Sequence, residues 1–420
     1  MIESRSTFDV KIVIILTSLI FFILGFSENL EHLLAFQFKR TFDLSPPNFA
    51  LAKSCTGIAY LLMALPAGWI MKRFGGRWGI IIGLTTLAIG CFVLIPAVHS
   101  QSYRFFVIAL FVMTSGKILI QTTIYPYVQN LGFSETATVR INLVNSFDGI
   151  GVIFVSILCS KIRSMEPVIL PELIKMDTSL RKATVALEED TIMEPYFLLG
   201  LVIGIIMLLF SVVTLPKIPF KLVKIDVNFN LFKVLKNNHL VWGVISQFFY
   251  VGTQVSIFTF FLLYAKEVAD VSLDEANHYL YICGIAFIIG RFFGTFFMCY
   301  TKPSLLLSIY SSVNVLLCIL AITAKGMVCL YSVITICFLM SIMFPTIFAL
   351  AINKLDGDTE YGSSLVVMSI VGGTVLPWCF KMISDLSGDI RLGYAIPMLS
   401  FVLIALFGAY KYKPHTKVVN

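Results

Sequence analysis

Residues 12–37 read IVIILTSLIFFILGFSENLEHLLAFQ, with no charge before Glu28. The run is long enough for a helix to cross the roughly 30 Å hydrocarbon core of a bilayer. Its apolar residues do not alternate with period two, so it does not read as a barrel strand. It follows Lys11 and lacks a small-x-small cleavage pattern. It is therefore read as a retained first membrane helix and not as a signal peptide.

The same pattern repeats outward from this stretch. Apolar runs follow at 49–71, 78–98, 104–128, 142–162 and 196–215, and then at 239–265, 276–298, 304–323, 327–352, 361–384 and 393–411. The expectation is an all-α membrane protein of twelve transmembrane helices in two six-helix halves. Composition agrees. The 420 residues are 58% hydrophobic and 13% charged, with a mean hydropathy of +0.90. Ordinary soluble domains are roughly 45–50% apolar and about 25% charged. A bilayer can solvate the excess, provided that helices satisfy their own backbone polar groups.

The formal charge is +7. No basic stripe carries interleaved aromatics, so the charge does not point to nucleic acid. The basic residues sit in short loops between apolar runs, where they set topology. Their bias places both termini in the cytoplasm of a multi-pass inner (plasma) membrane protein. The expected division is 1–215 for the N-terminal half, 216–238 for a cytoplasmic linker and 239–420 for the C-terminal half. The linker is basic, with Lys217, Lys221, Lys224, Lys233 and Lys236, and its Leu231, Phe232, Val234 and Leu235 could lie along the interface. Within the first half, 163–195 is a long periplasmic loop rich in acids such as Glu188, Glu189 and Asp190. The nine cysteines lie in or beside apolar runs without a C-x-x-C pair and are read as small packing residues.

Charged and strongly polar residues inside membrane helices are costly, so they mark the candidate site. The first run holds Glu28, Asn29, Glu31 and His32. Glu28 and His32 are four apart and share a face. Alternatively, that helix ends early and the cluster sits at the headgroups. The fourth run holds Lys117 and Gln121, again four apart. Lys117 is too far from either end to snorkel. It needs a counter-charge, and Glu28 or Glu31 is the expected one. The fifth run carries Asn142, Asn145 and Asp148 at three-residue spacing, as cavity lining or as interhelical hydrogen-bonding groups. The seventh carries Gln247, Tyr250 and Gln254 on one face. Amide and phenol groups beside aromatic rings suit the hydroxyls and apolar faces of a sugar. Gly362, Ser363, Ser364, Gly372 and Gly373 in the eleventh run are read as close-packing positions. No phosphate loop, metalloprotease motif, nucleophile–base pair or metal cluster is apparent, so no cofactor, no metal and no enzyme activity is expected. Two similar halves imply a solute site near the midplane.

Several segments resemble the major facilitator superfamily. Gly68-Trp-Ile-Met-Lys72-Arg73-Phe-Gly75-Gly-Arg77 looks like its loop signature, with Met71 where most members have an acid, and Gly290-Arg291-Phe-Phe-Gly294-Thr295 looks like the related signature of the second half. A closer resemblance is to the L-fucose:proton symporter family, whose members carry fucose, glucose and galactose. It rests on Gln247–Ala265, on Gly290–Thr295 and above all on Met340–Gly373, with Phe344-Pro-Thr-Ile-Phe348 and Tyr361-Gly-Ser-Ser364. Asn29-Leu30, Gln37-Phe38 and Arg140 to Gly149 extend it into the first half.

The resemblance implies alternating access and proton-coupled uptake of a monosaccharide. In that family an Asp of the first helix and a Glu of the fourth handle the proton. By position those places hold His32 and Gln121 here. The family's cavity Gln and Asn of the fifth helix fall at Asn145 and Asp148. Coupling through His32 is one expectation, since histidine side chains titrate near pH 6.5 in water, with Glu31, Glu28 and Asp148 sharing the role. The substrate set is Asn29, Lys117, Gln121, Asn145, Gln247, Tyr250 and Gln254. The rival readings are an uncoupled facilitator or one coupled to another ion, a carrier of an organic acid held by Lys117 or of an amphiphilic drug, and a sugar sensor without transport. The expected partners are a small sugar and the lipid bilayer, with the protein a monomer.

Overall fold

Ser54–His99 is one helical tract of 46 residues in the computed structural model. At 1.5 Å per residue it would extend about 69 Å, roughly twice a bilayer's hydrocarbon thickness. It is therefore two spans, and they meet at Gly75, where φ is 83° and ψ is 169°. That region of backbone space is essentially restricted to glycine. A Cβ at this position would meet nothing within 4 Å. Torsion, not space, demands the glycine of the Gly68–Arg77 signature.

The structure describes residues 2–42, 46–158, 178–213, 234–355 and 358–412. The helices of the first half are α1 (Ile2–Leu33), α2 (Ala35–Thr41), α3 (Pro46–His99), α4 (Tyr103–Gln129), α5 (Ala137–Leu158) and α6 (Thr178–Val212). Those of the second half are α7 (Asn238–Ala269), α8 (Leu273–Met298), α9 (Pro303–Thr323), α10 (Met327–Met340), α11 (Met343–Ala351), α12 (Thr359–Met368), α13 (Gly372–Ser387) and α14 (Ala395–Leu406). Eleven tracts among the described residues are long and apolar enough to cross a membrane. Counting the double one as two spans gives the expected twelve.

Broken spans have chemical causes. The tenth, Met327–Ala351, is interrupted between α10 and α11. Pro345 has no N–H for the Ser341 carbonyl four residues back. Arg291 of α8 donates to that carbonyl from Nε at 3.1 Å, and Tyr250 of α7 donates from its hydroxyl to the Met340 carbonyl at 3.0 Å. Side chains of neighbouring helices thus satisfy the carbonyls at the break, as a membrane interior requires.

The expectation that 163–195 is a loop needs correction where it can be tested. Residues 178–195 belong to α6. Their sequence, TSLRKATVALEEDTIMEP, is dominated by good helix formers. The rest of that segment, the linker lysines at 217, 221, 224 and 233, and the C-terminal tail from 413 lie outside the described residues.

The chain forms two compact units whose bounds differ from the expected halves. The first contains Met1–Ala59, Arg77–Ile120 and Phe147–Pro216, and the second contains Tyr60–Gly76, Gln121–Ser146 and Lys217–Asn420. In the first, α1 and α5 meet through glycines. A Cβ on Gly25 would overlap the Asp148 carbonyl, and one on Gly151 the Phe22 carbonyl. Small residues at such crossings let membrane helices approach closely. The Phe22, Phe26 and Phe154 rings cluster beside the crossing. In the second unit, Tyr250, Phe261, Tyr264, Phe380, Tyr394 and Phe401 are among the aromatic residues of a buried core. Large apolar side chains stay exposed along helix faces, among them Ile205 and Leu208 on α6 and Phe293 and Phe297 on α8. Helices that contact lipid need such faces.

Candidate functional site

In the first unit, α1 spreads its polar residues over three directions. Glu31 points to α4, where Lys117 donates from Nζ to its Oε2 at 3.3 Å. The lysine side chain is 8% exposed and the glutamate 21%. Of the two expected counter-charges, Glu31 holds the lysine and Glu28 is exposed. Removing either member would leave a lone charge inside a membrane span, which is the expensive state.

Asn29 turns towards α5. Its amide nitrogen donates to the Val152 carbonyl at 3.0 Å and to the Ser156 hydroxyl at 2.9 Å. Its donors are spent on joining two helices beside the Gly25 crossing. Asp148 is half-buried at that crossing, with its carboxylate close to Gly25. His32 and Glu28, four residues apart, are both exposed.

The second unit holds the other candidates. The amide oxygen of Gln121 accepts from the Tyr60 hydroxyl at 3.3 Å. Asn145 is buried. Its side-chain oxygen accepts from the Tyr125 hydroxyl at 2.6 Å, and its carbonyl accepts from Arg291 Nη1 at 3.0 Å. Tyr250 is fully buried and gives its hydroxyl to the break in the tenth span. Gln247 differs. It is fully buried, and neither its amide oxygen nor its nitrogen has a partner among the described residues. The hydroxyls of Ser246 and Thr253 on the same helix share that condition. An unpaired buried polar group costs roughly 1–3 kcal/mol. These α7 groups are among the buried polar groups without a hydrogen-bond partner in the described residues, with both side-chain atoms of Asn314 on α9 another case. Gln254, four residues beyond Tyr250, is half-buried.

The sequence motifs of the second half act as contacts within this unit. Thr346 of Phe344–Phe348 accepts from the Asn142 side chain at 3.1 Å. Ser363 donates to the Thr122 carbonyl at 2.7 Å. Lys72 lies over the Tyr361 ring, 4.9 Å from its centroid. Arg291, read from the sequence only as part of a signature, joins α5 to the broken tenth span and rests 4.7 Å over the Phe287 ring. An arginine within the apolar span Leu273–Met298 is the sequence signal that marks it, and the structure buries it. Among the described residues, no group of three or more His, Cys, Asp or Glu is placed to hold a metal.

Comparison with known proteins identifies what carries this arrangement. A glucose/galactose transporter of Brucella abortus (biovar 1, strain 9-941) is 33% identical over 394 residues, covering 93% of this chain and 92% of that protein. The L-fucose-proton symporter of Escherichia coli K12 is 29% identical over 402 residues, covering 93% and 91%. The crystal structure of FucP, a transporter solved in the outward conformation, matches with a TM-score of 0.89 at 28% identity, over 96% of this chain and 99% of that one. The proton:xylose symporter XylE, at 17% identity and a TM-score of 0.70, is alike in fold. The family model of the Major Facilitator Superfamily matches residues 12–377, and the chain belongs to that superfamily of transporters.

Proposed function

We propose that this protein imports a monosaccharide of the L-fucose or hexose type together with a proton, by alternating access across the inner membrane. The observation that carries this reading is likeness over almost the full length of both partners to transporters named for glucose, galactose and L-fucose, one of them a proton symporter. The polar groups held within the spans support it. Gln247, Gln254 and Gln121 are the amides assigned to sugar hydroxyls in this reading. Asn29, Asn145 and Tyr250 serve mainly to hold helices together. Lys117 and Glu31 form the charged centre, with His32, Glu28 and Asp148 as further titratable groups of the same unit. The protein works as a monomer with both termini in the cytoplasm, in keeping with the basic bias of its loops.

The test is uptake of labelled L-fucose, D-glucose, D-galactose, D-mannose, D-glucuronate and D-galacturonate by cells expressing the protein. At least one sugar is expected to accumulate above its external concentration and to lose that accumulation on addition of a protonophore. Uptake of none would contradict the substrate class. Equilibration unaffected by protonophore would identify a facilitator.

A further inference from the structure

We infer that the Lys117–Glu31 pair is a proton-operated anion site, and that the monosaccharide it serves carries a carboxylate, as uronic acids do. The inference rests on the reading of the chain as a proton-coupled monosaccharide transporter.

The lysine is under-used in this arrangement. An ammonium group has three donors. Among the described residues, Lys117 makes one hydrogen bond, to Glu31 Oε2 at 3.3 Å. Charge-assisted bonds between such groups are usually about 2.7–2.9 Å. The pair is therefore loose, and two ammonium protons are left over at a side chain only 8% exposed. A buried cation with spare donors is built to accept a second anion. The glutamate, at 21%, is the more accessible partner, and so the one that a proton can reach from water.

Competition for one cation then couples proton to substrate. While Glu31 is ionised it is tethered beside Lys117 and excludes a free carboxylate. A proton from the aqueous side adds to Glu31 and cancels its charge, while Lys117 stays positive. The carboxylate of an incoming sugar acid restores neutrality. Release runs in reverse, the sugar acid leaving as Glu31 returns its proton to the opposite side. Proton and carboxylate together carry no net charge, so the cycle is electroneutral. A neutral sugar would leave Lys117 bare in the protonated state, which the membrane interior penalises.

The surrounding charges are few. On α1 itself, Glu28 and His32 are exposed. Asp148 of α5 is half-buried against Gly25. Cys91 of α3 is buried, and Glu194 lies near the start of the apolar part of α6.

The test is binding to the purified full chain in nanodiscs, with D-galacturonate and D-glucuronate against D-galactose, D-glucose and L-fucose, at about pH 5.5 and 7.5. In acid, the uronates are expected to bind at least about tenfold more tightly than the matching neutral sugars, and that advantage should shrink at the higher pH. Glu31→Gln should remove that pH dependence. Lys117→Met should remove the preference for uronates, and Lys117→Arg should restore part of it. Lys117→Met combined with Glu31→Gln avoids a lone buried charge and should show neither preference nor pH dependence. Binding and proton-coupled uptake of a neutral sugar with no preference for uronates would overturn this inference and leave the sugar symport reading standing. Binding of no monosaccharide, neutral or acidic, would overturn both. Preference for uronates that survives in Lys117→Met would also overturn the assignment.

Discussion

Lys117 of the fourth span and Glu31 of the first stand 3.3 Å apart, an ion pair held between helices inside the membrane. Each residue offsets the cost of the other. Lys117→Met and Glu31→Gln should each lower stability, by about 3 kcal/mol if the remaining charge stays buried. The double substitution should cost less than the two effects added, with a coupling of roughly 1–3 kcal/mol. Thermal unfolding of the four proteins in one detergent measures it. Additive losses would show that the pair is not energetically linked.

The lengths of the apolar runs and the mid-helix position of Lys117 make the spans, and the need for a counter-charge, legible in the sequence. Helical periodicity says which residues share a face, but not what stands opposite. Asn29 and Tyr250 look like solute ligands by residue type, yet they face the Val152 and Met340 carbonyls. Choosing Glu31 over Glu28 requires the rotation of α1, which the Gly25 and Gly151 contacts fix. The assignment of 60–76 and 121–146 to the second compact unit depends on contacts such as Asn142–Thr346 and Ser363–Thr122, each spanning more than 200 residues of sequence. No local pattern encodes these.

Two glycines with open space around them should respond with opposite sign. At Gly75 and Gly204 a Cβ would meet no atom within 4 Å. Gly75 has a positive φ, so Gly75→Ala should cost about 1–3 kcal/mol in backbone strain. Gly204 is interior to α6, so Gly204→Ala should stabilise the protein by roughly 0.5–1 kcal/mol. Melting temperatures of the two variants should move in opposite directions.

Arg291 donates to two backbone carbonyls of different spans. Hydrogen bonds from charged donors contribute about 1.5–3 kcal/mol each. Arg291→Ala should therefore lower stability by roughly 3 kcal/mol or more. Arg291→Lys, which lacks the planar fork, should recover only part of that loss. Thermal unfolding with a yield of monodisperse protein as a second readout checks the ranking.

Arg391 donates from Nε and Nη2 to the Asp389 carboxylate, at 2.7 Å for the shortest contact. These bonds hold the Asp389 carboxyl below its ordinary range. The residue lies between the eleventh and twelfth spans. A depressed folded-state value adds stability above the unfolded value, about 3.9, and loses it as pH falls through the folded one. The melting-temperature difference between the native protein and Asp389→Asn should be greatest near neutrality and vanish in strong acid. It should be small, because the pair is about a third exposed.

Proton-coupled monosaccharide import is tested most directly by following pH outside lightly buffered proteoliposomes as the transported sugar or sugar acid is added. An immediate alkalinisation of the medium is expected, saturating with substrate and abolished by protonophore. Substrate uptake at an undiminished rate with no accompanying proton movement would contradict it.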